Sequence, residues 1–271
     1  MGKHQYTKAE LFDQLRSMNA PRDSIVLMHS SLRLVGNVEG GGETLLSALV
    51  EYFTEEGGLF CVPTHTWNRI GEEITLDVAD PRTCLGAFSD LAVRSGLGIR
   101  TENPTHSMVV FGDAERARKF AEGEIDVPSG TSPESCYGKL YSMGGKVLLV
   151  GVAHNKNTYL HCVEEMLGMH DARLAKEPCK VRVKRQSGET VTCCIRPHQT
   201  AFTNDVSLRF PKYETAFRYH GAITDGFLGN APAQLCDARR MKDVMEWIYS
   251  RAGRDPLEDE LAFPPKWYVS E

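Results

Sequence analysis

Three short apolar runs constrain the fold of this chain more than any other feature: SIVLMHSSL from Ser24, LFCVPTHTW from Leu59 and KVLLVGVAHNKN from Lys146. Each stops abruptly in histidine, serine, threonine or asparagine. A brief continuous apolar run closed in this way reads as a buried strand whose carboxyl end opens into a loop. Amphipathic segments separate the runs. TKAELFDQLRSMNAP starts with a Thr7/Glu10 capping box and carries Leu11, Phe12 and Leu15 at helical spacing before it ends near Pro21. The glycine-rich GNVEGGGE leads into a helix with Leu45, Leu46, Leu49 and Phe53 on one stripe, closed by Gly57 and Gly58. HSMVVFGDAERARKFAEG adds a further strand and helix. Alternating strands and helices predict an α/β fold with a site where the strand ends meet the following loops.

Two segments depart from this pattern. Alternation on both sides of SGE in KVRVKRQSGETVTCCIRP marks a β-hairpin. The stretch from Ala233 to Arg251, AQLCDARRMKDVMEWIYSR, reads as one helix with Leu235, Met241, Met245 and Ile248 facing inward. No repeat or linker divides the chain, so a single domain over 1–271 is expected, with the hairpin as a flap. A formal charge of -5 argues against a nucleic-acid partner and is compatible with an acidic cleft for a cationic ligand. No apolar segment approaches the roughly 20 residues of a membrane helix, and MGKHQYTKAELF lacks the apolar core of a signal peptide, so a cytoplasmic protein is expected. The 8 cysteines contain no CxxC, which suggests reduced thiols rather than a disulfide framework or zinc knuckle.

The densest polar cluster is GVAHNKNTYLHCVEEML, residues 151–167. If Asn157 caps a helix there, His161 lies just inside it and Glu164 follows at i+3 on the same face. The positive helix N-terminus favours the neutral imidazole, while Glu164 fixes the tautomer and stabilises the imidazolium once a proton arrives. That suits a general base, although His–Glu pairs at this spacing are commonly surface ion pairs of small consequence. His29, His65 and His106 also fall at strand ends or loops beside hydroxyls, in HSS, THT and PTHS. A metal site is a rival, but no spacing matches a ligand pattern. A cysteine nucleophile is another: Cys162 points about 100° away from His161 on a helix, and Cys136 reads more readily as a buried structural thiol.

The blocks HSSL, GGGETLLSAL, GLFCVPTHTW, NPTHSMVVFG, GTSPESCYGKLYSMGGKVLLVGV and NTYLHCVEE occur in order over about residues 24–167, and GAITDGFLGNAPAQLCDARRMKDV continues the pattern more weakly. Together they resemble the aminoglycoside 3-N-acetyltransferase family. The resemblance implies an α/β/α sandwich of that family's own type, distinct from the GNAT acetyltransferases, with acetyl-CoA as co-substrate, no metal and an aminoglycoside amine as acceptor. It implies His161 as the catalytic histidine, Glu164 as its acidic partner and Thr158 beside them. His29, Ser30, Ser31, Ser107, Ser132 and Tyr137 are then expected on the CoA side, and His65, His106 and Asn157 on the acceptor side. The family usually has His-Pro where this chain has Asn103-Pro104, which implies a difference in acceptor specificity. The alternatives are transfer to another small amine, a thioesterase or amidohydrolase in which His161 activates water, and a non-enzymatic binding protein.

Overall fold

A computed structural model describes residues 4–199 and 206–269. Its main sheet has seven strands, in spatial order Ile223–Leu228, Ala231–Asp237, Lys146–Val150, Ile25–Ser30, Leu59–Pro63, Met108–Phe111 and Ile99–Arg100. The three central strands are parallel to one another, and the outer ones run antiparallel to their neighbours. These three are the apolar runs that end in polar clusters, so Ser30, Pro63 and Val150 finish at one edge. Register pairs Met108 with Pro63, which brings PTHS to the same edge at the beginning of its strand.

Strand alternation splits the core into two layers. Ile25, Leu27, Leu59, Cys61, Val147 and Leu149 face the helices Cys136–Ser142, Tyr159–Met166 and Ala238–Ala252. Val26, Met28, Phe60, Val62, Leu148 and Val150 face Lys8–Ser17, Gly41–Thr54 and Ala87–Arg94. The result is the expected α/β/α sandwich. The Thr7/Glu10 capping box is present, with Leu11 and Leu15 buried, and Leu45, Leu46, Leu49 and Phe53 are all buried.

The hairpin forms from Cys179–Lys184 and Thr190–Ile195 and adds Leu76–Asp77 as a third strand beside the main sheet. One sequence expectation is corrected. Residues 233–237 are not helical, because Ala231–Asp237 is a strand paired with Lys146–Val150, and the helix begins only at Ala238. Asp237 accepts a hydrogen bond from the Arg240 amide and ends the strand by capping the helix. Leu235 is buried as expected, but by strand alternation rather than helical phase. Among the described residues no helix is long and apolar enough to cross a membrane.

Asp237 also pairs with Lys146 Nζ at 2.5 Å, tying the helix start to the central sheet. Asp237→Ala should therefore cost roughly 1–2 kcal/mol of stability, and Asp237→Asn, which keeps the cap, much less. Urea denaturation of the two variants checks the difference.

Candidate active site

A cavity of about 690 Å³ opens at the shared strand edge. Its wall includes His29–Arg33 from the first central strand and its loop, Pro63, His65 and Trp67 from the second, and Val152 and Asn155–Thr158 from the third. Thr105 and His106 enter from the neighbouring strand, His161 from the helix Tyr159–Met166, and His198 from the segment after the hairpin. The polar clusters singled out in the sequence therefore converge.

His161 Nδ1 lies 3.5 Å from Glu164 Oε2, and Glu164 is fully buried. The surface ion-pair reading thus fails, since the carboxylate has no solvent. Its other oxygen accepts from Arg173 Nε at 2.6 Å and from the Tyr249 hydroxyl at 3.3 Å. Arg173 reaches on to Asp255 at 2.9 Å. Burial opposes the charge of Arg173, but Glu164, Tyr249 and Asp255 more than offset it, so its pKa is raised. With Nδ1 turned towards Glu164, Nε2 of His161 makes no hydrogen bond to any described residue and is the nitrogen left for a substrate.

The helix starts differently from the expectation. Asn157 does not cap it: Thr158 occupies the N-cap position with helical φ and ψ and no side-chain cap. A 3-10 turn, His154–Lys156, runs almost directly into the helix and leaves the Asn157 side chain pointing inward. There Asn157 Nδ2 lies 3.2 Å from His154 Nδ1 and 3.7 Å from Met241 Sδ, and its Oδ1 has no hydrogen-bond partner. The site is aimed by this buried turn rather than by an N-cap.

Three residues expected on the CoA side do not form part of the cavity wall, because each is fully buried behind it. Ser107 donates to the Thr64 carbonyl and accepts from Arg100. Tyr137 binds His65 Nε2 through its hydroxyl at 2.7 Å and donates to the His106 carbonyl. Ser132 Oγ has no partner. Asn103, at the position where the family has His, holds Glu124 and the Gly130 carbonyl and accepts the Thr105 and His106 amides, so it shapes the His106 loop from beneath. Gly130 must be glycine for a related reason, since a Cβ there would collide with His106 Nδ1 and Thr105 Oγ1.

The imidazoles around His161 are electrically quiet. Burial pushes His29 down to about 3. It also lowers His65, His106 and His198 well below the usual histidine range, and the neighbouring imidazoles add to the effect. All four are neutral at pH 7. Both cysteine rivals are fully buried with thiol pKa values raised by desolvation, Cys162 facing the Ser132 carbonyl and Cys136 the Phe120 carbonyl. Among the described residues no three His, Cys, Asp or Glu side chains converge as metal ligands.

Sequence reasoning missed His198, whose signal in IRPHQT was the one used for the others, a histidine following a strand. It also missed Arg173, which lay in no motif, Glu165, the last residue of NTYLHCVEE, and the two exposed cations of the wall, Arg33 and Lys156. Neither of these last two makes an ion pair with a described residue.

At the carboxyl edge of a mixed sheet, a histidine open to the cavity stands beside a buried carboxylate and among neutral imidazoles, an arrangement able to move a proton. The profile of the aminoglycoside 3-N-acetyltransferases matches residues 27–249, and the chain belongs to that family of acyltransferases. Aminoglycoside N(3)-acetyltransferase III of Pseudomonas aeruginosa is 26% identical over 267 residues, spanning 92% of this chain and 95% of that protein. Among solved structures, the aminoglycoside acetyltransferase AAC(3)-IVa apoenzyme aligns with a TM-score of 0.77 at 27% identity, over 97% of this chain and 94% of its own. A histidine-to-alanine variant of that enzyme has been solved in complex with a gentamicin. AAC-IIIb, solved with CoASH, shares the fold at a TM-score of 0.72 and 20% identity, over 92% of this chain and 98% of its own.

The buried charges bear on stability in two ways. Glu164→Gln leaves the buried Arg173 short of its main counter-charge, so it should lower stability by about 3–5 kcal/mol, measured by chemical denaturation. The second effect concerns acid. His29 and His154, held at about 3 and about 4 by burial, bind a proton near pH 6.5 only when unfolded. Each therefore stabilises the fold fully above that pH and loses about 2 kcal/mol by pH 5. His65, His106 and His198 shift the same way. Glu124 and Glu165, raised by burial, act in the opposite sense, but they are outnumbered. The melting temperature should drop clearly between pH 7 and pH 5; a flat profile would show that these imidazoles take up protons in the native state.

Proposed function

We propose that the chain works as one acetyltransferase domain that transfers acetyl from acetyl-CoA to the 3-amino group of a 2-deoxystreptamine-containing aminoglycoside. The observation that carries this is the His161 ring, open to the cavity on one nitrogen and backed by a buried carboxylate on the other. The family supports the donor and acceptor classes. Acetyl-CoA is a cytoplasmic metabolite, and the cytoplasm is the compartment assigned to the reaction.

The acceptor nitrogen is nucleophilic only when unprotonated, and alkylamines have pKa values near 10, so a base must take a proton as the nitrogen attacks. His161 Nε2 takes it while the nitrogen bonds to the thioester carbonyl carbon. As the tetrahedral adduct collapses, the C–S bond breaks and His161 returns the proton to the departing sulfur. Thr158, on the cavity wall next to the helix start, is the hydroxyl assigned to the carbonyl oxygen. Arg33 and Lys156, which make no ion pair with a described residue, supply positive charge suited to the phosphates of the donor, and Ser30 and Ser31 offer hydroxyls along the same wall. His29 borders that side, and His65, His106 and Asn157 border the acceptor. Ser107, Ser132 and Tyr137 contribute by holding the wall from behind.

His161→Ala should lower kcat by at least about 100-fold while leaving CoA affinity unchanged, because the residue handles a proton rather than binding. Free-thiol release with a panel of amines measures the first, and calorimetry the second. Incubation with labelled acetyl-CoA alone should leave no label on the protein, since Cys136 and Cys162 are buried and poorly ionised. Thiol release that proceeds equally with and without an amine would replace transfer by thioester hydrolysis.

A further inference from the structure

Glu165 adjoins Glu164 in sequence, yet the transfer above does not use it. Its carboxylate is buried and accepts hydrogen bonds from Ser129 Oγ at 2.8 and 2.7 Å and from Thr131 Oγ1 at 2.6 Å. A threonine hydroxyl has one hydrogen, and here it is committed to Glu165. The same oxygen lies 2.8 Å from His198 Nε2, so it accepts there and Nε2 carries the proton. Nδ1 of His198 then presents a lone pair, and it makes no hydrogen bond to any described residue. The ring lies 4.5 Å from that of His161, centroid to centroid, and both line the cavity.

The remaining wall gives this lone pair a purpose. An aminoglycoside brings several ammonium and hydroxyl donors, but no Asp or Glu is among the described residues of the cavity wall. Among the described residues, the acceptors that face the cavity are uncharged groups. Each of His65, His106 and His198 has one ring nitrogen engaged by a neighbouring hydroxyl, and among these three His198 is the one in ring contact with His161, its Nδ1 making no hydrogen bond to a described residue.

We propose that His198, locked in one tautomer by Thr131 and Glu165, is a specificity-determining residue whose Nδ1 accepts a hydrogen bond from a second donor of the acceptor substrate, close to the nitrogen that His161 deprotonates. This deepens the acetyl-transfer reading and rests on it. Glu165 and Thr131 are positioning residues that act through the imidazole. The favoured acceptor is an amine with another amine or hydroxyl nearby on the same ring, and a simple monoamine gains nothing from His198.

The test compares 2-deoxystreptamine with its analogue lacking one amine, on wild type, His198→Ala, His198→Gln and Thr131→Val. Binding to the CoA-loaded protein is read by calorimetry, and transfer by thiol release. Wild type should favour the diamine by about tenfold. His198→Ala should erase that preference by weakening the diamine alone, as a rise in KM with kcat largely kept. His198→Gln, which retains both a donor and an acceptor, should restore part of it, and Thr131→Val should weaken the diamine without changing CoA affinity. A diamine preference unchanged in His198→Ala overturns the proposal, and so does a loss shared equally by diamine, monoamine and CoA, which marks a structural role. If wild type binds both amines but releases thiol with neither, the transfer reading fails while the binding ratio still decides the role of His198.

Discussion

The contact between Glu164 and Arg173 underlies the arrangement of the site. A carboxylate placed beneath the cavity-facing imidazole of His161 and sealed from water would cost several kcal/mol if left without a counter-charge. Arg173, from the short helix His170–Arg173, meets it at 2.6 Å and is itself only 2% exposed. Asp255 and the Tyr249 hydroxyl complete the pairing, which draws the C-terminal helix and the segment after it into the support of His161. The acid thus has its position fixed by three distant parts of the chain. Removing any one of them leaves another buried charge short of a partner, so the group behaves as a unit rather than as separable pairs.

Sheet topology places that unit beside a cavity. Parallel strands deliver their carboxyl ends to one edge, and open α/β sheets bind ligands outside those ends. In this chain the antiparallel strand Met108–Phe111 runs the other way, and its preceding loop arrives where the parallel strands leave. His106 comes in by that route, His29 and His65 from the parallel strands, and Pro197, His198 and Gln199 from the segment after the hairpin. The hairpin Cys179–Lys184 and Thr190–Ile195 contributes no residue to the wall itself, and the chain that follows it does.

Much of this was legible in the sequence because the relevant signals are local. The buried parallel strands, the capping box at Thr7 and the His161/Glu164 spacing each depend on a few neighbouring residues, and each is present in the structure. Failures came where a long-range pairing overrode local pattern. Residues 233–237 continue a helical phase in sequence, yet partnership with Lys146–Val150 makes them a strand. Asn157 has the side chain of an N-cap, but the 3-10 turn ahead of it sets the backbone of Thr158 as helical and sends the amide inward. Arg173 and Glu165 received no role from the sequence, since nothing local reveals that a residue nine positions away, or a hydroxyl thirty-four positions away, will pair with them.

Among the described residues, His161 is the cavity imidazole with a carboxylate within ion-pair distance, and burial, with the neighbouring imidazoles, keeps His65, His106 and His198 neutral. In the transfer proposed above this difference directs the proton. A proton leaving the acceptor nitrogen finds one nitrogen backed by negative charge and several that reject charge. The same surroundings then act on the imidazolium: His65, His106 and His198 offer it no counter-charge, and Glu164 shares its own charge with Arg173. The arginine behind Glu164 thus gives the buried carboxylate its counter-charge and fixes it beside His161.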